Sequence, residues 1–255
     1  MSTDTLALDI NSDVGESYGA FRIGADVELF PLISSANVAC GFHGGDPQTM
    51  DQTVRALAGL GVAVGAHPSY HDLRGFGRRN IPATPEEIRT DLLYQIGALH
   101  AFCQVAGVPL HHVKPHGALY NTATNDRIIA DAIVNAVLDL APDVIFYALP
   151  GSELEAAAVA QGLRVAREAF ADRAYMSDGT LAPRSLAGAV LEDPASVADR
   201  VLRMIGGEEV PTLDGGHITI AADTICIHSD TPGAVPIASA LREALMDAGI
   251  TIRAL

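Results

Sequence analysis

Short apolar runs alternate with amphipathic stretches from one end of the chain to the other. Runs at 6–10, 34–40, 62–67, 112–114, 144–149 and 163–167 are too short for buried helices and read as strands. Helical periods fall between them, at 47–60, 84–106, 125–140 and 152–161. A further helix is expected at 194–205, strand material at 218–220 and 222–228, a helix near 235–248 and a last strand at 250–252. Turn chemistry fixes several boundaries. Asp46-Pro47 is an N-cap followed by proline at the first helical position, and Gly61 closes that helix. Met50, Val54, Leu57 and Leu60 are its expected buried stripe. Thr84-Pro85-Glu86-Glu87 has the form of a capping box. Strands alternating with helices at short spacing predict parallel strands joined by crossover helices. With no linker, composition break or repeat beyond this period, a single α/β domain over 1–255 is expected. A distorted (β/α) barrel fits best, and an open doubly wound sheet is the alternative.

The length of 255 residues permits one barrel or two small domains, so composition does not change that picture. Charge narrows the function. A net charge of −15 argues against nucleic acid and against an anionic membrane surface. Cys40, Cys103 and Cys226 have no CxxC spacing, so neither a disulfide framework nor a zinc knuckle is expected. No apolar run has membrane-spanning length and the first ten residues, MSTDTLALDI, lack the form of a signal peptide, so a cytoplasmic protein is expected.

The polar residues with chemical potential collect where strands end. Asn11, Asp13 and Glu16 follow the first strand, His43 and Asp46 the second, His67 the third. Lys114 and His116 end the fourth, Glu168 a later one with Arg173 just beyond, and His228 and Asp230 the last long one. Parallel α/β folds place all strand C-termini on one face, so these residues are expected to converge there. Lys114 stands apart. Of 16 basic residues it is the only lysine, and a buried lysine acts as a base or a compact point charge where arginine does neither. Each of these residues also has a plain structural use: Asn11 and Asp13 as turn formers, Asp46 as a cap, the histidines as packed side chains. An Asp/His set on strand ends suits a divalent metal that activates water. It suits metal-free acid–base chemistry around Lys114 and Glu168 equally well. A P-loop is excluded, because the lone lysine follows Val113 and precedes Pro115.

Six ordered segments carry a resemblance that spans nearly the whole chain: DINSDVGE (9–16), SSANVACGFHGGDP (34–47), GAHPSYHDLRGFGRR (65–79), VKPHGALYN (113–121), EAFADRAY (168–175) and ICIHSDTP (225–232). They resemble the lactam-utilisation family, described as the A subunit of an ATP-hydrolysing 5-oxoprolinase. Gly44 stands where alanine is expected, Ser229 where glycine is expected, and His71 where proline is more usual. The resemblance implies a seven-stranded distorted barrel similar to the glycoside hydrolase/deacetylase fold. It implies ring opening of 5-oxo-L-proline to L-glutamate coupled to ATP hydrolysis, with subunits B and C as partners. An unstrained lactam is a stabilised amide, and phosphorylating its oxygen makes a better electrophile. The ATP site is then an unfamiliar one or shared with the partners. On this reading Asp13 or Glu168 is the base for water, His67 and His116 orient it or act as acid, and Lys114 stabilises developing negative charge. Arg78, Arg79 or Arg173 holds the substrate carboxylate. Asn11, Glu16, His43 and Asp230 complete the expected binding set, and Asp13, His67 and His116 are the candidate metal ligands. An anionic substrate on so acidic a protein calls for locally positive potential at the site.

Two other functions compete. One is a metal-dependent deacetylase or amidohydrolase acting on a carbohydrate-like or cyclic amide substrate. The other is a non-catalytic subunit that binds the lactam and delivers it to partners.

Overall fold

A computed structural model describes residues 6–255. Its centre is a closed barrel of seven parallel strands. β1 (Ala7–Val14), β2 (Ser35–Ala39), β3 (Ala63–His67), β4 (Leu110–Val113), β5 (Ile145–Ala148) and β6 (Arg164–Phe170) are neighbours in chain order. After them the chain makes a small antiparallel hairpin, β7 (Val210–Pro211) with β8 (His217–Ile218), and returns as β9 (Thr224–His228). β9 pairs with β6 on one side, and from Asp9↔Thr224 to Asp13↔His228 with β1 on the other. That second pairing closes the barrel and excludes the open sheet. β10 (Thr251–Ile252) adds to the outer end of β1 through Ala7↔Thr251.

Helices cover the outside: α1 (Asp26–Leu29), α2 (Pro47–Leu60), α3 (Pro85–Ala106), α4 (Gly117–Ala123), α5 (Arg127–Leu140), α6 (Glu153–Ala160), α7 (Pro194–Ile205) and α8 (Ala234–Asp247). Their ends follow local chemistry. The Asp46 carboxylate accepts from Thr49 N at 2.8 Å to start α2, and Gly61 ends it with φ +70°. Thr84 and Glu87 make both bonds of the capping box on α3. Met50, Val54 and Leu57 are buried, but Leu60 is 55% exposed. Ten residues after Met50 the helical drift has carried position 60 off the buried stripe. Among the described residues no helix is long and apolar enough to cross a membrane, and the three cysteines are free and buried.

Two strands run further than hydrophobicity predicts. β1 continues through Asn11, Ser12 and Asp13, and β6 continues through Glu168 to Phe170. These polar residues therefore lie inside the barrel wall, not in loops after it. The reason is the barrel interior, which is polar along its axis. Asp9 accepts from Ser34 Oγ (2.6 Å), Ser35 Oγ (2.7 Å), Tyr147 OH (2.9 Å) and Thr224 Oγ1 (2.6 Å). One layer higher, Asn11 Nδ2 donates to Thr224 Oγ1 at 2.8 Å. Asn37 Nδ2 donates to Asn11 Oδ1 at 2.7 Å and to Asp13 Oδ1 at 2.8 Å. His112 Nε2 donates to Asn37 Oδ1 at 2.8 Å. Each of these buried polar groups finds a partner across the barrel, which is what makes so polar a core tolerable. The late strand is shorter than expected, because His217–Ile218 belongs to the hairpin and only Thr224–His228 joins the barrel.

Candidate active site

Above this polar column, at the C-terminal ends of the strands, the barrel opens into a cavity of about 560 Å³. Asp13, His67, Lys114, His116 and His228 line it, from β1, the end of β3, the segment after β4 and the end of β9. Two glycines make the floor possible. Gly65 lies against the His112 ring, so a Cβ there would overlap it. Gly77 has φ +64°, and a Cβ would lie 2.6 Å from the His116 ring.

Lys114 is almost wholly buried. Its Nζ lies 2.7 Å from Glu168 Oε1 and 3.0 Å from Asp13 Oδ1, and donates to Cys226 Sγ at 3.0 Å. Burial works to discharge it, but the Asp13 and Glu168 carboxylates hold its ammonium well above the ordinary lysine range. The Cys226 thiol, pushed up by burial, stays neutral. Burial raises the Asp13 carboxyl too, and the adjacent His67 and Lys114 more than reverse it, so Asp13 is held well below the usual range. Burial raises Glu168 against the pull of Lys114. Asp13, Glu168 and Cys226 all lie within 3.0 Å of the ammonium, so its charge is balanced on the floor.

Around the opposite oxygen of Asp13 the donors run out. Burial, then the neighbouring His43 and His67, push His116 well below the ordinary range, so it is a neutral imidazole. Its Nε2–H donates to Phe76 O at 2.8 Å, which turns the Nδ1 lone pair toward His67 Nε2, 2.9 Å away. His67 Nδ1–H donates to Lys114 O at 2.8 Å, and its Nε2 is also 3.2 Å from Asp13 Oδ2. Glu16 Oε1 lies 3.8 Å from His116 Nδ1. His67 and His116 thus share a buried group of potential metal-ligating atoms with Glu16 and His43, while Asp13 falls in a second group with Cys226 and His228. Two imidazole nitrogens and a carboxylate oxygen are a fitting donor set for a zinc-like ion. Behind them His43 stacks on His116 at 3.7 Å and its Nε2 meets Glu16 Oε1 at 3.0 Å. Burial and the Asp13 charge push Glu16 well up, toward the neutral acid. The turn carrying Glu16 is pinned by Asp26, whose carboxylate accepts from Gly15 N at 2.7 Å and is raised to about 6 by burial.

The third side of the floor is a dyad. His228 Nδ1–H donates to Asp172 Oδ1 at 2.9 Å, and Thr231 Oγ1 also donates to Asp172. Burial raises the Asp172 carboxyl, and His228 with these hydrogen bonds more than offsets it, so it stays ionised. The bond turns Nε2 of His228 to the cavity, 3.8 Å from Asp13 Oδ2. Sequence reasoning misses Asp172 and reaches His228 only as a strand end. A signal for the pair is present: the dyad joins the end of β9 to the residue two past β6, its neighbouring strand.

The wall carries Arg78, Arg173 and Arg184, the positive potential expected of the site. Of the predicted residues, Asp13, His67, Lys114 and His116 come together on the floor. Glu168 and Asn11 lie beneath it, Glu16 and His43 behind it, and Asp230 pairs with Arg78 Nη2 at 2.6 Å beside it. Arg79 is not at the cavity: its guanidinium is spent on Asp72. Arg184 has no signal in the sequence, since it stands in a loop without a matched motif.

The model of the LamB/YcsF family matches residues 8–255. The A subunit of 5-oxoprolinase from Heliobacterium modesticaldum is 53% identical over 249 residues, 98% of each chain. The A subunit of 5-oxoprolinase from Thermus thermophilus is also 53% identical, over 98% of this chain and 100% of that one. The crystal structure of the lactam utilization protein from Thermus thermophilus, 53% identical, superposes with a TM-score of 0.92 over 98% of this chain and 100% of that chain.

Proposed function

Because the chain belongs to the LamB/YcsF family, we propose that it is the component of a 5-oxoprolinase that opens 5-oxo-L-proline to L-glutamate, ATP-coupled and assembled with subunits B and C. The full-length likeness to chains named as the A subunit of 5-oxoprolinase supports the subunit role. The single observation that carries the chemistry is the pairing of ionised Asp13 with the Asp172-oriented His228 on the cavity floor.

The lactam carbonyl carbon sits above Asp13. Water held between Asp13 Oδ2 and His228 Nε2 attacks the carbon of the O-phosphorylated lactam and gives its proton to His228. His228 returns that proton to the ring nitrogen as the C–N bond breaks, leaving an acyl phosphate of glutamate that a second water hydrolyses to glutamate and phosphate. Lys114 acts one step back: with its charge balanced on the floor, it keeps Asp13 ionised and fixed. ATP enters by phosphorylating the lactam oxygen, and we assign that step to a site supplied wholly or partly by the partners. The chain has no P-loop, and Lys114 is already neutralised by two carboxylates.

The test is glutamate release from 5-oxoproline by this chain alone and with subunits B and C, with and without ATP. Turnover only with all components supports the reading, and no turnover with active partners overturns it. His228→Asn separates a catalytic from a merely delivering role. Abolished turnover at saturating lactam supports catalysis here, and normal turnover assigns this chain to delivery.

The grouping of His67, His116 and Glu16 favours a second reading, a metal-dependent amidohydrolase. Those three residues would hold the ion, which when bound supplies a Lewis acid and an acidified water. Stoichiometric metal in the purified protein, with ATP-independent activity lost on chelation, would put this reading first.

A further inference from the structure

We propose that Arg184, a residue with no assigned role, is the anchor for the substrate's carboxylate; the inference rests on the lactam reading above. Among the basic side chains expected to hold the carboxylate, Arg78 is paired with Asp230 at 2.6 Å and Arg79 with Asp72. Arg173 is almost wholly buried and donates to Ala182 O at 2.6 Å and Ala189 O at 3.4 Å. Lys114 lies against Asp13, Glu168 and Cys226, each within 3.0 Å. Arg184 lines the same cavity and, among the described residues, makes neither an ion pair nor a side-chain hydrogen bond. A guanidinium facing a cavity without a partner is suited to a planar, bidentate anion.

Its position is built. The two carbonyls held by Arg173 belong to Ala182 and Ala189, on either side of Arg184. The backbone of Ala174 repeats the clamp, donating to Ala189 O at 3.0 Å and accepting from Ala182 N at 2.9 Å. Arg173 is thus a positioning residue that fixes the loop from which Arg184 reaches the cavity. Burial, and then the charge of Arg78, depress the Arg184 guanidinium from its usual value against the opposing pull of Asp230, Asp172 and Asp13. The single charge of Arg184 matches that of a lactam carboxylate better than a nucleotide's polyphosphate. The ring would lie between this wall and the floor, with its carbonyl toward Asp13.

The experiment uses the assembled enzyme and two lactams, 5-oxo-L-proline and 2-pyrrolidinone, the same ring without the carboxylate. Arg184→Ala is expected to raise KM for 5-oxoproline about 100-fold, to leave KM for ATP unchanged, and to erase the preference for the acid over the bare lactam. Arg184→Lys is expected to recover part of that preference, and unchanged melting temperatures confirm that both variants fold. An Arg184→Ala enzyme as selective between the lactams as wild type overturns the assignment. A rise in KM for ATP alone overturns it too, giving the guanidinium to a phosphoryl group. Wild-type enzyme that turns over neither lactam overturns the functional reading and this inference with it.

Discussion

Replacing Lys114 by methionine keeps the side chain's length and removes its charge. Two buried carboxylates, at 2.7 Å and 3.0 Å from the missing Nζ, then face each other uncompensated. Each contact is worth several kcal/mol of Coulomb energy at an effective dielectric near 20, largely offset in the intact protein by desolvation. The variant loses the attraction and keeps the desolvation of the acids, a situation that costs roughly 3–5 kcal/mol. For a chain of this size that lowers Tm by about 6–20 °C. The pH dependence is the sharper check. In wild type, the depressed Asp13 contributes stability present above its unfolded value and lost as pH falls through the folded one, while the raised Lys114 contributes stability lost only as pH rises through its folded value. Without Lys114 the folded pKa of both acids moves up, so the folded variant takes protons that the unfolded chain does not. The Tm deficit, followed by circular dichroism, is expected to be largest near pH 8 and to shrink toward pH 5. A deficit under about 3 °C at pH 8, or one that does not change with pH, would refute the uncompensated-charge explanation.

Asp172→Asn leaves an acceptor for Thr231 and the His228 backbone but presents an amide N–H to His228 Nδ1, flipping the tautomer so that Nε2–H faces the cavity. We expect kcat to fall by about 10²–10⁴ with KM little changed; an unchanged kcat would deny the dyad its role. Asp26→Asn removes a carboxyl that burial raises to about 6, above its unfolded value. Wild-type stability is expected to fall as pH rises from about 4 through 6 and then level. The variant escapes that loss, and chemical denaturation should find it about 1–2 kcal/mol more stable at pH 8 and no better below pH 4. A wild type more stable at pH 8 would refute this.

The helices and the order of the strands were legible because caps and apolar runs are local signals. Asp46, Thr84 and Gly61 terminate helices in the structure as their chemistry requires. Hydrophobicity failed where a strand faces a polar interior. Asp9, Asn11 and Asp13 alternate along β1, as do His112 and Lys114 on β4 and its end, and Thr224, Cys226 and His228 on β9. That period of two is the mark of a strand, but with polar residues on the inward face it reads as loop. Convergence at strand ends brought Asp13, His67, Lys114 and His116 to one floor, because parallel topology fixes it. The role of Arg184 depends on which other arginines are already paired, and pairing is a property of the folded chain alone.

The single lysine follows from the same geometry. Its acceptors sit on three different strands, Asp13 on β1, Glu168 on β6 and Cys226 on β9, around the axis of a narrow barrel. An ammonium spreads three donors tetrahedrally and meets all of them from one point. A guanidinium sends its donors out in one plane from a larger head, so it reaches two of the three and collides with the wall. Lys114→Arg is therefore expected to behave like Lys114→Met: charge is kept, yet Tm falls and turnover is lost. An arginine variant with wild-type Tm and turnover would show that charge alone is needed at position 114, and the explanation from donor geometry would fail.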